Sequence, residues 1–365
     1  MRIYLLLTLL IPFFACANTL SLKFLDEYII PADLTIEGSK VGGLSSIEYI
    51  DGKYLLICDD QSDPRYYQAA IEITHNKIQQ VNFEKPKALL NPQLKPFAKG
   101  TVDPEGLRVL SDSKYGSSIV WSSEGSIRHK RPPAIFMQSK KDVTSFSLPK
   151  MFDISENSGP YHNEVFEGLA LAHSDKGVWV SMEGALKQDG ELATVKHGSM
   201  LRISYFDFDS KALANQFAYF LEPIVNRKEA KASAKRNTGL VEILQIDPYR
   251  FLTMERSFTS GIANGGNDVR IFVADISKAT DTSNFKSLKS NNYQPAKKTL
   301  VLDLADVKQQ FASKRIDNLE GMTLGPKLAN GNQSLLMISD NNFNAHGQQI
   351  SQILLFELEI NQHKS

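Results

Sequence analysis

The feature that most constrains this chain is an internal repeat. Five segments share one order: a glycine followed by an apolar residue, a strand-like run, a turn, a second apolar strand and an acidic residue. Their starting glycines and closing acids are Gly43 and Asp59, Gly106 and Glu124, Gly168 and Glu183, Gly239 and Glu255, and Gly321 and Asp340. A period of this length indicates one repeat architecture rather than a set of unrelated domains.

The spacing of the five units is nearly regular. The closing acids lie 16, 18, 15, 16 and 19 residues after their glycines, and successive glycines are 63, 62, 71 and 82 residues apart. Each period contains short runs rich in Val, Ile, Phe and Tyr, separated by Gly, Asn, Asp and Pro. This pattern is typical of antiparallel strands joined by turns. A polar insertion at residues 281–298 accounts for the longest interval.

A repeat of about 60 to 80 residues with about four strands predicts an all-β fold, a β-propeller. Five blades are visible, and six are possible if one blade has lost its motif. We expect residues 20–24 and 353–358 to be strands of one shared blade, so that the N- and C-terminal strands close the ring. Such closure leaves no open sheet edge to pair with another chain.

The first 17 residues are predicted to be a signal peptide, followed by a single propeller domain over residues 18–365. Arg2 precedes an apolar stretch at residues 3–15, which is too short as a helix to span a hydrocarbon core of about 30 Å. Ala15, Cys16 and Ala17 form the small–x–small pattern of a cleavage site. Lipidation at Cys16 is the alternative. We expect a periplasmic or secreted protein without a transmembrane segment.

Composition and motifs exclude several function classes. The chain has 41 basic and 41 acidic residues, so it lacks the basic excess that a general nucleic-acid binder needs. Its seven histidines are scattered without paired ligand spacing, which argues against zinc. Gly-x-Ser-x-Gly, His-Glu-x-x-His and phosphate-loop motifs are missing from the sequence. Little therefore supports a serine-nucleophile esterase.

Propeller geometry is expected to gather the acids of each unit near the central axis. Carboxylates that converge repel one another unless a cation or basic groups neutralise them. Ca²⁺ takes six to eight oxygen ligands and suits such a set. The predicted metal ligands are Glu105, Glu124, Glu167, Glu183, Glu255, Glu320 and Asp340. The structural alternative is that each acid bonds the backbone of the next blade or forms an ion pair between blades.

Basic residues follow four of the five closing acids, and they are predicted to bind an anionic substrate. These residues are Arg65, Arg128, Lys187 and Arg256. Arginine in particular holds phosphate through two parallel hydrogen bonds. The candidate catalytic residues are Glu105, Glu167, Glu320, Arg128 and Arg256.

Several motifs resemble a known family. They are DPEGL at residues 103–107, WSSEG at 121–125, NEVFEGL at 163–169, NLEGM at 318–322 and SDNNF at 339–343. Together they resemble the phytase-like family, whose members are described by an "esterase-like activity of phytase". The resemblance covers roughly residues 40–360. It implies a secreted or periplasmic propeller related by fold to calcium-dependent phytases.

The first functional hypothesis is a Ca²⁺-dependent hydrolase of phosphate esters or other esters, with its site in the central funnel. The ion would polarise the ester, and Arg65, Arg128 and Arg256 would stabilise the developing negative charge. The alternative is a non-catalytic propeller that binds a small anion, a glycan or a protein partner. A third hypothesis is a sugar- or lactone-handling enzyme in which one glutamate acts as general base.

Overall fold

The computed structural model describes residues 19–111, 114–263, 265–289, 291–344 and 349–361. The described chain is almost entirely β-structure and forms five sheets arranged as the blades of a propeller. The prediction of a five-bladed propeller is confirmed. Residues 1–17, including Cys16, lie outside the described residues. In the described ranges, no helix has the length and hydrophobicity needed to cross a bilayer.

Within each blade, the strands are named in order from the innermost to the outermost. Blade I contains β4 (Leu44–Ile50), β5 (Lys53–Cys58), β6 (Arg65–Thr74) and β7 (Lys77–Phe83), with β8 (Lys87–Ala88) beside β6. Blade II contains β9 (Pro104–Leu110), β10 (Ser118–Ser123), β11 (Ala134–Ser139) and β12 (Val143–Ser145). Blade III contains β13 (Phe166–Leu171), β14 (Gly177–Met182), β15 (Ser199–Asp207) and β16 (Ala212–Leu221).

Blade IV contains β17 (Arg236–Gln245), β18 (Arg250–Thr259), β19 (Asn267–Asp275) and β20 (Lys297–Asp303). Blade V contains β21 (Leu319–Lys327), β22 (Gln333–Ser339), β23 (Ser351–Asn361) and β1 (Thr19–Ile30). A small hairpin pairs β2 (Thr35–Ile36) with β3 (Ser39–Lys40). Short 3₁₀ helices occupy Ile127–His129, Lys150–Phe152, Leu304–Asp306, Lys308–Gln310 and Asn342–Asn344.

The two ends of the chain close the ring, as predicted. β1 pairs antiparallel with β23 along its whole length, from Thr19 opposite Asn361 to Ile30 opposite Ser351. Leu22 of β1 and Leu358 of β23 belong to the same buried cluster. Blade V is therefore built from both ends of the sequence.

The innermost strands approach one another closely around a central channel. A Cβ atom on Gly106 would lie 2.8 Å from the carbonyl oxygen of Glu167 in the next blade. A Cβ atom on Gly321 would lie 2.9 Å from the Cα atom of Ser46. Glycine is required at these positions because the neighbouring backbone leaves no room for a side chain.

In every blade the innermost strand begins at the face where the second strand ends, and we call this the upper face. The long connections between blades also cross the upper face. The opposite face, called the lower face, carries the turns that join the first strand to the second, such as Asp51–Gly52. All of the predicted acids except Glu255, which lies within β18, stand at the start of an innermost strand or directly after a second strand, so the fold brings them to the upper face.

Strand register corrects the alignment of the first repeat. In blade I, Leu44 pairs with Cys58 and Ser46 pairs with Ile57 across a bulge. Blade V has the same arrangement, in which Gly321 lies opposite Ile338. Ser46 is therefore the equivalent of Gly321, and Gly43 lies three residues before that position.

The fourth repeat is shifted in the same way. Leu240 pairs with Glu255, and Glu242 pairs with Met254 across the bulge. Glu242 therefore occupies the position held by glycine in blades II, III and V. The equivalent of the closing acid in blade IV is Arg256, which lies opposite Gly239, and not Glu255.

The long segment between β19 and β20 covers the outer edge of blade III. The backbone N–H of Thr282 donates to the carbonyl of Gln216, at 2.8 Å, and the N–H of Ala296 donates to that of Ala218, at 2.9 Å. Both acceptors lie on the edge strand β16. The insertion that the sequence shows therefore protects a strand that would otherwise be free to pair.

Candidate functional site

Carboxyl groups from four blades converge at the upper end of the channel. Two sets of three offer oxygen atoms that all lie within 4.8 Å of one another. The first set is Asp103, Glu105 and Glu124, and the second is Glu124, Glu167 and Glu183. Glu124 belongs to both sets, so the two groups adjoin.

Further acids interact electrostatically with these two sets, and we call the whole group the mouth cluster. Its members are Asp59, Asp103, Glu105, Glu124, Glu164, Glu167, Glu183, Glu320 and Asp340. Of the seven predicted metal ligands, six belong to it. The sequence reasoning missed Asp103 and Glu164, which precede the Glu-Gly motifs of blades II and III by two and three residues.

The backbone explains why the closing acids reach the channel. The N–H of Glu124 donates to the carbonyl of Asp103 at 3.0 Å, and the N–H of Glu183 donates to that of Val165 at 2.7 Å. The N–H of Asp340 bonds the carbonyl of Asn318 in the same way, at 2.9 Å. Each acid is therefore tied to the start of the innermost strand of its own blade.

Protein donors satisfy only part of the mouth cluster. Glu124 Oε1 accepts the N–H of Val165 at 3.0 Å, and Asp103 Oδ2 accepts Gln61 Nε2 at 2.7 Å. Among the described residues, no donor lies within hydrogen-bonding distance of the carboxylates of Glu105 and Glu167. The carboxylate oxygens of these two side chains therefore remain free to bind an ion within the two sets.

The guanidinium of Arg256 enters the mouth cluster. Its Nη1 donates to Glu320 Oε1 at 3.0 Å, and its Nη2 lies 3.7 Å from Glu183 Oε1. The Arg256 side chain is 11% exposed. Arg65 and Arg131 add positive charge near Asp59 and Asp103, yet the acids outnumber these cations, so the site would carry a large excess of negative charge if every acid were ionised.

Burial, joined in most cases by repulsion from neighbouring acids, raises the pKa values of eight acids of the cluster. Burial raises the pKa of Asp59 to about 8, with the charges of Glu320 and Asp103 adding to the effect. Burial also raises the pKa of Asp103 and of Glu183 to about 7. The pKa of Glu105 lies well above its usual range because of burial and the neighbouring charge of Glu167.

The same two causes act on the remaining buried members. Burial raises the pKa of Glu164 to about 10, with Glu183 as its main charged neighbour. The pKa values of Glu124, Glu167 and Asp340 are also raised well above the usual range by burial and adjacent acids. A fully ionised cluster is therefore unfavourable unless a cation binds within it.

The donor set fits a hard divalent cation. Calcium–oxygen distances of about 2.3–2.6 Å allow ligand oxygens to lie up to about 5 Å apart, and both sets of three meet this condition. Carboxylate oxygens alone suit Ca²⁺ or Mg²⁺ better than zinc, which prefers nitrogen and sulfur ligands. Asp103, Glu105, Glu124, Glu167 and Glu183 are the residues that could hold such an ion.

The structure does not bring Glu255 to the mouth cluster. Its Oε1 accepts Tyr219 Oη at 2.7 Å and Lys298 Nζ at 2.6 Å, and its Oε2 accepts the N–H of Glu222 at 3.1 Å. Successive side chains of a strand point to opposite faces, so Glu255 and Arg256 point apart. The register of β18 places Arg256 towards the channel, and Glu255 joins blades III and IV.

Two of the four predicted anion-binding residues are held by groups outside the mouth cluster, and a third is exposed. Arg65 Nη1 contacts Asp60 Oδ2 at 2.7 Å, and its Nη2 donates to the carbonyl of Lys40 at 3.0 Å. Lys187 Nζ donates to the carbonyl of Ser155 at 2.7 Å. Arg128 is exposed on the 3₁₀ helix Ile127–His129. Only Arg256 of the four is paired with acids of the cluster.

A strained turn forms one wall of a cavity beside Asp59, which we call the upper cavity. Its volume is about 340 Å³, and it is lined by residues 59–62, Lys99, Gly100, Asn342 and Phe343. The φ angles of Asn342, Phe343 and Asn344 are 44°, 49° and 62°. Left-handed backbone is rare for a bulky residue and is often found at functional sites.

Arg108 closes the channel below the mouth cluster. Its Nη2 contacts Glu242 Oε2 at 2.8 Å, and its Nη1 donates to the carbonyl of Leu107 at 2.7 Å. Longer hydrogen bonds reach the carbonyls of Ile47 at 3.3 Å and Met322 at 3.4 Å. We call Arg108, Glu242 and the neighbouring Glu48 the channel plug.

Glu242 completes the links between blades. Its Oε1 accepts the N–H groups of Leu169 at 3.1 Å and of Ile243 at 2.9 Å. With the carbonyls that bind Arg108, the plug joins the innermost strands of all five blades. The sequence analysis did not identify it, although Arg108 in β9 and Glu242 in β17 are charged residues with apolar residues on both sides.

These features define a five-bladed propeller whose channel is closed in the middle and lined with acids at one mouth. The chain belongs to the family described as "Phytase-like: Esterase-like activity of phytase", which matches residues 39–343. The sequence resemblance is thereby confirmed. No curated protein matches the chain significantly.

Solved structures with a similar arrangement are distant. The endo-arabinase from Bacteroides thetaiotaomicron is 11% identical, with a TM-score of 0.47 over 89% of this chain and 97% of that one. The xylosidase/arabinofuranosidase CoXyl43 from a compost metagenome is 12% identical, with a TM-score of 0.42 over 89% and 93%. A Dyadobacter fermentans protein of unknown function is 10% identical, with a TM-score of 0.39 over 93% and 100%. Scores below 0.5 support no functional conclusion.

Proposed function

We propose that the mouth cluster binds a divalent cation, with Ca²⁺ as the first candidate, and that the protein hydrolyses phosphate esters or other esters at this site. The observation that carries the proposal is the two adjoining sets of buried carboxylates that share Glu124. Such a concentration of buried acids opposes folding unless a bound cation offsets it. The chain's family, described by an esterase-like activity of phytase, supports ester chemistry.

Each part of the site has a role in this proposal. A bound ion supplies positive charge that polarises an ester oxygen and stabilises the transition state. Glu124 holds the ion together with Asp103 and Glu105, or together with Glu167 and Glu183, the two sets whose oxygens lie close enough to share a cation. Glu105 and Glu167 keep free oxygens, so they either complete the ion's ligand set or accept a proton from the attacking water.

Basic groups attract the substrate and stabilise its negative charge. Arg256 holds Glu320 and Glu183 in place and stabilises negative charge that develops beside them. Arg128 lies exposed on the upper face and attracts anions towards the channel. In this proposal Arg65 and Lys187 do not bind the substrate directly, and they contribute only by holding the loops that they contact.

The upper cavity accommodates the part of the ester that does not react. It adjoins Asp59 of the mouth cluster and offers the ring of Phe343, the hydroxyl of Ser62 and the ammonium of Lys99. Its volume of about 340 Å³ lies at the lower end of the range for small-molecule sites, about 300–1,000 Å³. We also place the mature protein in the periplasm or outside the cell, which N-terminal sequencing of the exported protein would test.

The experiment is a metal-dependent ester screen on the purified protein. Chelator-treated protein is assayed on p-nitrophenyl phosphate and p-nitrophenyl acetate, before and after addition of Ca²⁺, Mg²⁺ or Mn²⁺. We expect Ca²⁺ to restore turnover. Glu124→Gln should lose at least about tenfold in Ca²⁺ affinity, whereas the matched control Glu156→Gln, an exposed acid, should not. Turnover of neither ester with any ion would overturn the proposed hydrolase.

The second candidate function is a non-catalytic propeller that captures a small anion beside a bound cation. One observation favours it: Cys58, the only cysteine among the described residues, is buried, and its thiol contacts the carbonyl of Gly42 at 3.1 Å. A cysteine nucleophile is therefore not available at the site. Calorimetry with inorganic phosphate and Ca²⁺ separates the two candidates, because binding without turnover would favour the binding protein.

A further inference from the structure

The lower end of the channel holds a second cavity, which we call the lower cavity. It lies on the lower face between the ends of β4, β9 and β13, and its volume is about 440 Å³. A cavity of this size falls within the range of small-molecule sites. The channel plug separates it from the mouth cluster, so it is not part of the site described above.

The walls of the lower cavity are largely apolar. Ile50 of β4, Val109 and Leu110 of β9 and Leu171 of β13 line it. Polar and charged residues such as Lys114 and Lys176 lie at its rim and are exposed to solvent. Lys114 is already paired with Asp209, at 2.6 Å. The lining thus suits a ligand whose body is apolar.

Glu48 lines the inner part of the cavity; the backbone of Val109 donates to its carboxylate, but its contacts with other side chains are long. Its side chain is only 12% exposed, and its Oε2 lies 3.7 Å from Arg108 Nε, which is too far for a hydrogen bond. Thr323 Oγ1 donates to the same oxygen at a long 3.4 Å. Arg108 Nε is itself buried and, within the described residues, has no hydrogen-bond partner.

The charges around Glu48 do not balance. Arg108 is held at 2.8 Å by Glu242, so two carboxyl groups share one guanidinium. An ionised, poorly paired carboxylate in an apolar surrounding is costly unless a positive group reaches it. Glu48 lines the lower cavity, so a positive group bound there can reach its carboxylate.

We propose that the lower cavity binds a small molecule with an apolar body and a primary ammonium group, and that the ammonium pairs with Glu48. The apolar body contacts Ile50, Val109 and Leu171. The ammonium supplies the positive charge that Arg108 shares with Glu242. An anionic ligand does not fit, because Glu48 would repel it.

The test compares n-hexylammonium with 1-hexanol, a neutral molecule of similar shape, by titration calorimetry on the full chain at about pH 8. Wild type and the matched control Glu72→Gln, an exposed acid of blade I, should bind the ammonium equally. Glu48→Gln should weaken ammonium binding at least about tenfold, the effect of losing one charged contact, and leave hexanol binding unchanged. Ca²⁺ binding at the mouth cluster should be the same in all three proteins.

A pH series gives a second readout. Burial raises the pKa of Glu48 to about 7, with Arg108 opposing the rise and Glu242 adding to it, and Thr323 donates to the carboxylate. Ammonium affinity should therefore increase between about pH 5.5 and 8, where the probe stays protonated, and hexanol affinity should not. If Glu48→Gln does not fold, Leu171→Trp, which fills the cavity, should abolish binding of both probes. Equal ammonium affinity in Glu48→Gln and wild type, or no binding to folded wild type at about 10 mM, would overturn the proposal.

Discussion

The channel plug and the mouth cluster are two groups of buried charges on the same innermost strands, and they differ in how those charges are satisfied. In the plug, the Arg108 guanidinium contacts Glu242 and backbone carbonyls of several blades. In the mouth cluster, by contrast, the nine carboxyl groups have Arg256 as their only ion-paired guanidinium among the described residues, and it contacts two of them, Glu183 and Glu320. The first group is nearly complete without a ligand, and the second is not.

This difference distinguishes a structural role from a binding role. Buried charges that are paired and hydrogen-bonded hold the blades together. Removing one partner leaves the other charge buried and unpaired in a medium of low dielectric constant, which is unfavourable. Buried charges of one sign destabilise the fold unless something binds them. Removing Arg108 from the plug should therefore lower stability, whereas removing one acid from the mouth cluster should raise the stability of the metal-free protein.

The largest effect is expected at the plug. Arg108→Met leaves Glu242 and Glu48 buried without a cation and removes hydrogen bonds to several blades, so the free energy of unfolding should fall by about 3–5 kcal/mol. Urea denaturation followed by circular dichroism measures the loss. The double variant Arg108→Met/Glu242→Gln should recover part of it. A loss below about 1 kcal/mol would show that the plug does not hold the blades together.

The next effect concerns Glu48 and pH. Because its folded pKa is raised to about 7, the folded state keeps the proton over a range in which the unfolded chain has lost it. The contribution of Glu48 to the free energy of unfolding is therefore greatest below about pH 4.5, and it is lost as the pH rises to about 7. Relative to Glu48→Gln, wild type should lose about 2–3 kcal/mol across this range. Parallel stability curves for the two proteins would contradict the assignment of an incompletely paired carboxylate.

A smaller effect is expected for Glu255, the acid that the register places outside the mouth cluster. Glu255→Gln weakens contacts with Lys298 and Tyr219, so the free energy of unfolding should fall by about 1–2 kcal/mol. Calorimetric titration should show unchanged Ca²⁺ affinity. A drop in that affinity as large as for Glu124→Gln would place Glu255 among the metal ligands after all.

The smallest effect on stability has the opposite sign. Glu167→Gln removes one of several mutually repelling carboxylates, so the chelator-treated protein should gain about 1 kcal/mol. The same substitution should lower Ca²⁺ affinity about tenfold. Thermal unfolding with chelator and with Ca²⁺ measures both effects. A loss of stability in the metal-free variant would mean that Glu167 is paired as the plug residues are.

The sequence predicted the blades because each repeat has its own pattern of strands. In each repeat, the innermost strand also contacts the innermost strand of a neighbouring blade. Gly106, Gly168 and Gly321 are needed where innermost strands nearly touch, and they mark three blades directly. Ser46 and Glu242 occupy the same position in the other two blades. The nearby Gly43 and Gly239 therefore gave the right number of repeats with the wrong register.

The site was predicted less completely than the fold, because register and distant contacts are not visible in one sequence. A bulge in blade IV decides that Arg256 and not Glu255 faces the channel. Arg65 follows Asp59 closely in sequence, yet β6 places it against Asp60 and Lys40. Arg65 thus lies near Asp59 without an ion pair to it, and the adjacent Glu255 and Arg256 have different partners, so proximity along the chain did not give the contacts.

The pairing of β1 with β23 also sets the order in which the protein can be completed. β1, the outermost strand of blade V, is synthesised first and cannot join its blade until β23 has followed, so the ring closes last during synthesis. A partly made chain then stays open, with unpaired strands that are prone to aggregate. Once the final strand is in place, opening the ring requires pulling β1 and β23 apart along their full length, which makes unfolding slow.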